Sequence, residues 1–228
     1  MSDCPYNACK RRVLLAFPTI GALSSHADDD VNHSDEVEAA LDIFYSMEID
    51  SFQFLAEFVL NRKEREMERM QLGYASASSY KIWLGRFHTP ISYWNTAYHH
   101  GAFMQTAIAR PGIPAYEDDQ GVMPMHTTGV LLEGSFERAQ KRISYDVAFG
   151  IAPRLKESLA PMSISGQDAS GKLSVSVKLG MQPVSRGSSD EIGVFAGYIE
   201  IPVFDRPFTQ SSQTVAGAYF NTEHALRI

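Results

Sequence analysis

Cysteine is almost absent from this chain of 228 residues, which contains only Cys4 and Cys9. Both lie ahead of the longest apolar run, so the rest of the chain has neither a disulfide framework nor thiol chemistry available to it. Long apolar runs are also missing. The longest, 13–23, contains Pro18 and is too short to cross a bilayer as a helix. These absences argue against a disulfide-rich scaffold and against a bundle of membrane-spanning helices.

Basic residues are scarce relative to acidic ones, since 20 Lys and Arg stand against 27 Asp and Glu and give a net charge of −7. An acidic chain without a basic cluster argues against a nucleic-acid partner. The sequence contains no Gly-x-Ser-x-Gly, no His-Glu-x-x-His and no phosphate-binding glycine loop. The enzymatic alternative is a hydrolase with a catalytic triad of Ser92, an aspartate and His99 or His126. We expect no enzymatic activity, no cofactor and no nucleic-acid binding.

Residues 1–27 have the organisation of a secretory signal peptide. A basic tripeptide at 10–12 precedes the apolar run, and the Ser-His-Ala at 25–27 fits a small-x-small cleavage site. The alternative is that this segment is a buried N-terminal strand or helix. The expected organisation is a signal peptide over 1–27, a polar lead-in over 28–39 and one domain over 40–228.

Apolar and polar residues alternate with a period of two through most of the remaining chain, a pattern typical of strands with one apolar and one polar face. Ile143, Val147 and Phe149 occupy one side of a predicted strand, while Ser144 and Asp146 occupy the other. We count about nine such segments of about ten residues. Ten residues tilted by about 40° cover about 25 Å, the height of the lipid-facing band of an outer-membrane barrel. Strands of soluble proteins are shorter, typically about five or six residues.

The predicted fold is therefore all-β: an antiparallel transmembrane β-barrel with a long irregular insert at about 89–126. Two features favour an incomplete barrel. Bacterial single-chain barrels have an even number of strands, whereas about nine strands are predicted here. They also usually end on a strand with a terminal aromatic residue, whereas this sequence ends at Ile228. A non-functional fragment of a larger porin is thus one alternative.

Charged residues inside the predicted strands indicate which side of each strand faces water. Facing lipid, each would cost up to about 2–4 kcal/mol at the midplane, so we expect them to face the lumen. The candidates are Asp42, Glu48, Glu57, Lys81, Glu133, Arg142, Asp146, Lys172 and Lys178. Because both signs are present, the lumen would be wet and mixed in charge, which suits a channel better than a dry ligand cavity.

The insert and its flanks concentrate histidine, arginine and aromatic residues. The candidates for a pore or constriction are Arg86, His88, His99, His100, Arg110 and His126. The alternative is a structural role, in which Arg86 and Arg110 pair with the acidic residues at 117–119. A metal site built from His99, His100 and His126 is disfavoured, because adjacent histidines on a strand point to opposite faces.

Two phrases in this region, LGRFHTPISYWNTAYHHG and MPMHTTGVLLEG, resemble a group of porin-like outer-membrane proteins of Gram-negative bacteria. The resemblance covers about residues 37–150. It implies a channel-forming barrel in the outer membrane and specifies no solute. Together with the signal peptide and the strand lengths, it leads us to expect passive diffusion of small hydrophilic solutes and contact with outer-membrane lipid. A homo-oligomer is left open.

A protein of a different class, a secreted or periplasmic ligand-binding sandwich or lipocalin-like barrel, would share the strand alternation. Such a protein would bury its apolar faces and expose its polar ones. A barrel in lipid has the inverse arrangement. The direction in which the side chains of each strand point therefore separates the two hypotheses.

Overall fold

The computed structural model describes residues 10–26, 33–61, 65–76, 80–97, 126–153, 169–184, 190–202 and 210–222. These residues form strands β1 (Lys10–His26), β2 (His33–Ile49), β3 (Phe52–Asn61), β4 (Arg65–Ala75), β5 (Tyr80–His88), β6 (His126–Arg138), β7 (Lys141–Pro153), β8 (Ala169–Pro183), β9 (Glu191–Pro202) and β10 (Gln210–Asn221). One helical turn, α1 (Tyr93–Ala97), follows β5. The strands form one sheet in chain order, and the all-β prediction is confirmed. Among the described residues β10 does not pair with β1, so the sheet is open and not closed into the predicted barrel. That the strands span a membrane stays a prediction.

The chain divides into two compact units, Met1–Leu72 and Gly73–Ile228. In the first unit, β1 pairs with β2 along its whole length, and β2 continues into β3 through a two-residue reversal at Asp50 and Ser51. Asp50 has a φ of 52°, a left-handed conformation that aspartate tolerates better than most residues. The alternation of this segment alone could not separate two strands from one bent strand, and the structure has two.

Strands are present in both of the segments that the sequence assigns to a signal peptide and to a polar lead-in. Strand β1 lies in the segment predicted to be a signal peptide, and β2 begins at His33, inside the predicted polar lead-in. The physical reason is that a continuous apolar run also suits a strand when a neighbouring strand pairs with it. Cleavage of a precursor stays a prediction. The alternating segments correspond to β2 through β10.

The second unit contains β5 to β10, and each of these strands pairs antiparallel with the next. Residues directly opposite one another in an antiparallel pair lie on the same side of the sheet. The registers therefore sort the side chains of the unit into two faces. Within the described residues, no helix is both long and apolar enough to cross a membrane.

One side of β5 to β10, which we call the apolar face, carries large hydrophobic side chains that are exposed. Their relative exposures run from 37% at Tyr198 to 69% at Phe220. The face consists of Tyr80, Ile82, Leu84, Val130, Phe136, Val147, Phe149, Leu179, Ile192, Val194, Tyr198 and Phe220. A surface of this kind, continuous over six strands, is unusual for a protein in water.

The other side of the same strands, which we call the polar face, carries charged and hydroxyl side chains that are buried or half-buried. It includes Lys81, Glu133, Asp146, Ser174, Ser176, Lys178, Glu191 and Tyr219. Ser174 and Ser176 are each 1% exposed, and Lys178 is 9% exposed. A small apolar cluster of Trp83, Phe87, Leu131 and Ala148 lies on this side as well. Polar groups therefore make up most of the protected side of this unit.

Candidate functional site on the polar face

A row of four charged side chains crosses the polar face. Lys81 lies opposite Glu133, Glu133 opposite Asp146, and Asp146 opposite Lys178, so the row follows the register of β5, β6, β7 and β8. Lys178 Nζ lies 2.9 Å from Asp146 Oδ2, and their side chains are 11% and 18% exposed. The two charges at the β7–β8 end of the row thus neutralise each other, as a partly buried pair must.

The carboxylate of Glu133 is held by the residues of β5 beside it. Trp83 Nε1 donates a hydrogen bond to Glu133 Oε2. The ammonium of Lys81 lies 5.7 Å from the centre of the Trp83 ring. The indole therefore serves both as a donor to the acid and as a surface for the cation, which fixes the β5 end of the row.

The helical turn α1 lies against the polar face and contacts strands that are distant in sequence. Lys178 Nζ donates to Thr96 Oγ1 at 2.9 Å, which attaches the turn to β8. The rings of Tyr93 and Tyr219 lie 5.6 Å apart, and Asn221 Nδ2 donates to the Tyr93 hydroxyl at 3.2 Å, which attaches the turn to β10. The start of the insert is thus held over the polar face rather than beyond the ends of the strands.

Hydroxyl and amide groups fix the segment between β5 and α1. Thr89 and Thr127 share a hydrogen bond of 2.8 Å between their hydroxyls, and Thr127 shares a second of 3.3 Å with Ser174. Asn95, which is fully buried, donates from Nδ2 to the Thr89 carbonyl at 2.8 Å. These bonds connect the insert to β6 and β8 and supply partners for buried polar groups that would otherwise destabilise the fold.

A second carboxylate, Glu191 at the start of β9, anchors the opposite edge of the polar face. Gln182 Nε2 donates to its Oε2 at 2.7 Å, and the Tyr219 hydroxyl donates to its Oε1. Tyr219 lies over Gly193, where an added Cβ would come within 2.3 Å of the ring carbon Cζ. The absence of a side chain at Gly193 therefore allows the tyrosine to reach Glu191.

The predicted lumen-facing residues of the second unit occupy one side of the sheet. Lys81, Glu133, Arg142, Asp146 and Lys178 take polar-face positions in the strand register, and Lys172 lies on β8 where its register with β7 shifts. In the first unit, Asp42 and Glu48 share one side of β2, and Glu57 of β3 lies opposite Phe44 on that same side. Glu57, only 5% exposed, pairs with Arg69 at 2.5 Å. The structure thus places the candidates covered by the register on one side of the sheet within each unit, and it joins Lys178 to Asp146.

Three of the predicted pore residues lie on the side of the sheet opposite to the predicted lumen-facing residues. Arg86, His88 and His126 are 6%, 7% and 1% exposed, and they lie where β5 ends and β6 begins. Strand alternation puts all three on the side of the apolar face and not on the polar face. His99, His100 and Arg110 lie outside the described residues.

Sequence patterns did not single out Thr96, Asn95, Gln182 or Glu191. Thr96 and Asn95 belong to the insert, where no periodic pattern exists, and their partners are remote in the chain. Ser174 and Ser176 were detectable, because they alternate with apolar residues on the same side as Lys178.

No protein-family model matches this chain, and no curated protein matches it either. The resemblance to porin-like proteins consequently stays a prediction.

Proposed function

We propose that this protein is a porin-like component of a bacterial outer membrane, with lipid against its apolar face and a path for small hydrophilic solutes along its polar face. The observation that carries the proposal is the orientation of side chains in the second unit. Large apolar groups are exposed on one side of six consecutive strands, while charged and hydroxyl groups are protected on the other.

The free energy of the apolar face depends on whether water or lipid surrounds it. Each square ångström of apolar surface left in water forgoes about 25 cal/mol, and contiguous patches larger than a few hundred Å² mark contact with a partner or a membrane. Lipid removes this cost for the whole face at once. It also requires that backbone groups be hydrogen-bonded within the sheet, which antiparallel pairing provides for the inner strands. The outer edge of β10 would need a further strand that the described residues do not supply.

The polar face supports a solute path without strong charge selectivity. Its charges of opposite sign are paired, with Lys178 on Asp146 and Arg142 Nη2 on Glu137 Oε1 at 3.2 Å. Paired charges give a polar surface whose net field is small, so neutral and weakly charged hydrophilic solutes are the class we propose. The helical turn α1 over this face would narrow the path.

The alternative, a secreted or periplasmic ligand-binding protein, needs apolar side chains inside and polar side chains outside. The arrangement on β5 to β10 is the reverse, which favours the membrane proposal. A fragment of a larger porin would share the same two faces. Whether the chain closes a barrel is therefore a separate question for experiment.

The first test is the gel mobility of the protein from the outer-membrane fraction, unheated and boiled. We expect a band that shifts on boiling, as a closed detergent-resistant barrel gives, followed by conductance in planar bilayers. Recovery of the mature protein in the soluble periplasm would overturn the proposal. Aggregation without a shift would point to a fragment that cannot close.

Labelling then tests the orientation of the faces. In a background without Cys4 and Cys9, Val177→Cys places a thiol on the side of the apolar face, and Ser176→Cys places one on the polar face. We expect a lipid-dissolved maleimide to modify the Val177 variant and a water-soluble maleimide to leave it unmodified. Ser176→Cys is the matched control, because it should not react with the lipid-dissolved probe. Reaction of the Val177 variant with the water-soluble probe would contradict the lipid contact.

A further inference from the structure

Two histidines face each other at the base of the insert. His88 is the last residue of β5, His126 is the first residue of β6, and the register places them directly opposite one another. Their ring centroids lie 5.1 Å apart with the planes tilted by 53°. One ring nitrogen of each lies within 4.8 Å of the other. Both side chains are buried, with 7% and 1% exposure.

Imidazole nitrogens in this arrangement suit a divalent transition-metal ion. Zn²⁺, Ni²⁺ and Cu²⁺ bind imidazole at about 2.0–2.1 Å, so two nitrogens of one site lie about 3–3.5 Å apart. The nitrogens lie within 4.8 Å here, so binding an ion would require the two rings to turn toward each other. Hard cations such as Ca²⁺ and Mg²⁺ prefer oxygen ligands and are not the expected class.

A buried threonine hydroxyl on β6 also supports a metal ion beside the two histidines. Thr128 lies two residues beyond His126 on the same side of β6, and its Oγ1 is buried without a hydrogen-bond partner among the described residues. A buried hydroxyl of this kind is costly unless something occupies its bonding position. A water molecule on a metal ion held by the two histidines would supply that partner.

We propose that His88 and His126 form a binding site for a divalent transition metal of the zinc class, with Thr128 hydrogen-bonded to a metal-bound water. Arg86 lies opposite Thr128, and its positive charge opposes a cation. The affinity is consequently weaker than that of a closed structural zinc site with four protein ligands. The site does not depend on whether the sheet spans a membrane.

A metal ion bound to His88 and His126 would also affect the insert. His88 and His126 flank the segment 89–125, so an ion bound to both closes this segment into a loop at its base. A clip across a long segment removes conformational freedom from the unfolded chain and holds β5 against β6 at the point where their pairing ends. Metal binding would therefore stabilise the pairing of these two strands and the start of the insert that depends on it.

The experiment uses the full chain without a polyhistidine tag, freed of metal with a chelator and titrated with Zn²⁺ by calorimetry. We expect one Zn²⁺ per chain in wild type and a higher melting temperature when it is bound. His88→Gln and His126→Gln should each lose this binding and the thermal shift. The matched control, His99→Gln with His100→Gln, removes two other histidines of the same region and should bind as wild type does.

Electron paramagnetic resonance of Cu²⁺-loaded wild type gives an answer that needs no histidine variant to fold. We expect hyperfine splitting from two imidazole nitrogens, unchanged in the His99/His100 control. The proposal is overturned if wild type binds no ion, if the spectrum lacks two coupled nitrogens, or if the His99/His100 variant is the one that loses binding. Folded His88→Gln protein that still binds Zn²⁺ as tightly as wild type would overturn it as well.

Discussion

The ammonium of Lys178 lies 2.9 Å from Asp146 Oδ2 and 2.9 Å from Thr96 Oγ1, so one side chain joins two strands of the sheet to the insert. Its partners lie on β7 and on α1. This shared contact makes Lys178 the residue through which the charge balance of the polar face and the position of the insert are connected.

Replacing Lys178 should destabilise the protein through Asp146. Lys178→Met leaves the carboxylate partly buried without its cation, which typically costs about 3–5 kcal/mol. The measurement is the denaturant midpoint of the folded protein. Lys141→Met, which removes an exposed lysine at the start of β7, is the matched control and should have a smaller effect. Asp146→Asn combined with Lys178→Met should recover part of the loss, and a double variant that loses the sum of the two single losses would contradict the pairing.

Releasing the helical turn should change conductance if the polar face is a solute path. Thr96→Val removes the hydroxyl that accepts from Lys178 and keeps the size of the side chain. We expect larger and noisier single-channel conductance in planar bilayers, since the turn is no longer attached to β8. Thr96→Ser retains the hydroxyl and should conduct as wild type does. Identical conductance in all three proteins would show that the turn does not limit the path.

A methyl group at Gly193 should disturb the Glu191 cluster. In Gly193→Ala the new Cβ meets the ring of Tyr219 at 2.3 Å, so the ring must move away from the carboxylate. Overpacking of this kind costs about 1–3 kcal/mol, measured as a lower denaturant midpoint. In the Tyr219→Ala background the same glycine substitution should cost much less, because the obstructing ring is gone. Additive losses would exclude the close approach as the cause.

A charge on the apolar face distinguishes lipid from water as its solvent. Phe149 is 60% exposed, and Phe149→Lys should cost about 2–4 kcal/mol if the residue lies near the bilayer midplane. In water, an exposed substitution changes stability by about 0.5 kcal/mol or less. The readout is the yield of heat-shifting protein in the outer membrane. Val184→Lys, just beyond the end of β8, is the matched control and should assemble normally; normal assembly of both variants would contradict lipid contact at Phe149.

Much of the second unit follows from the period-two pattern. Ser144, Asp146 and their apolar neighbours were assigned to opposite sides of a strand, and the register of β7 with β8 places them so. The reason is local: a pleated strand sends successive side chains to opposite faces whatever its neighbours are. The face of the sheet on which each side chain lies can therefore be predicted from the sequence of its own strand.

The first strand and the site contacts did not follow from such patterns. The run in β1 does not alternate, so its strand form depends on β2 as a partner and not on its own sequence. Thr96 and Lys178 are 82 positions apart. No short-range signal predicts a hydrogen bond that depends on how several strands place the insert.

The contact between Tyr93 and Asn221 has a consequence for the order in which the protein assembles. It spans 128 positions, and Asn221 ends β10, the last strand among the described residues, so this contact forms only after β10 has joined the sheet. Contacts of such long sequence separation form late, because chain entropy must be overcome first. An intermediate that still lacks β10 would hold the turn through Lys178 on β8 but not at Tyr93, and protection of Tyr93 from solvent would report that β10 has joined.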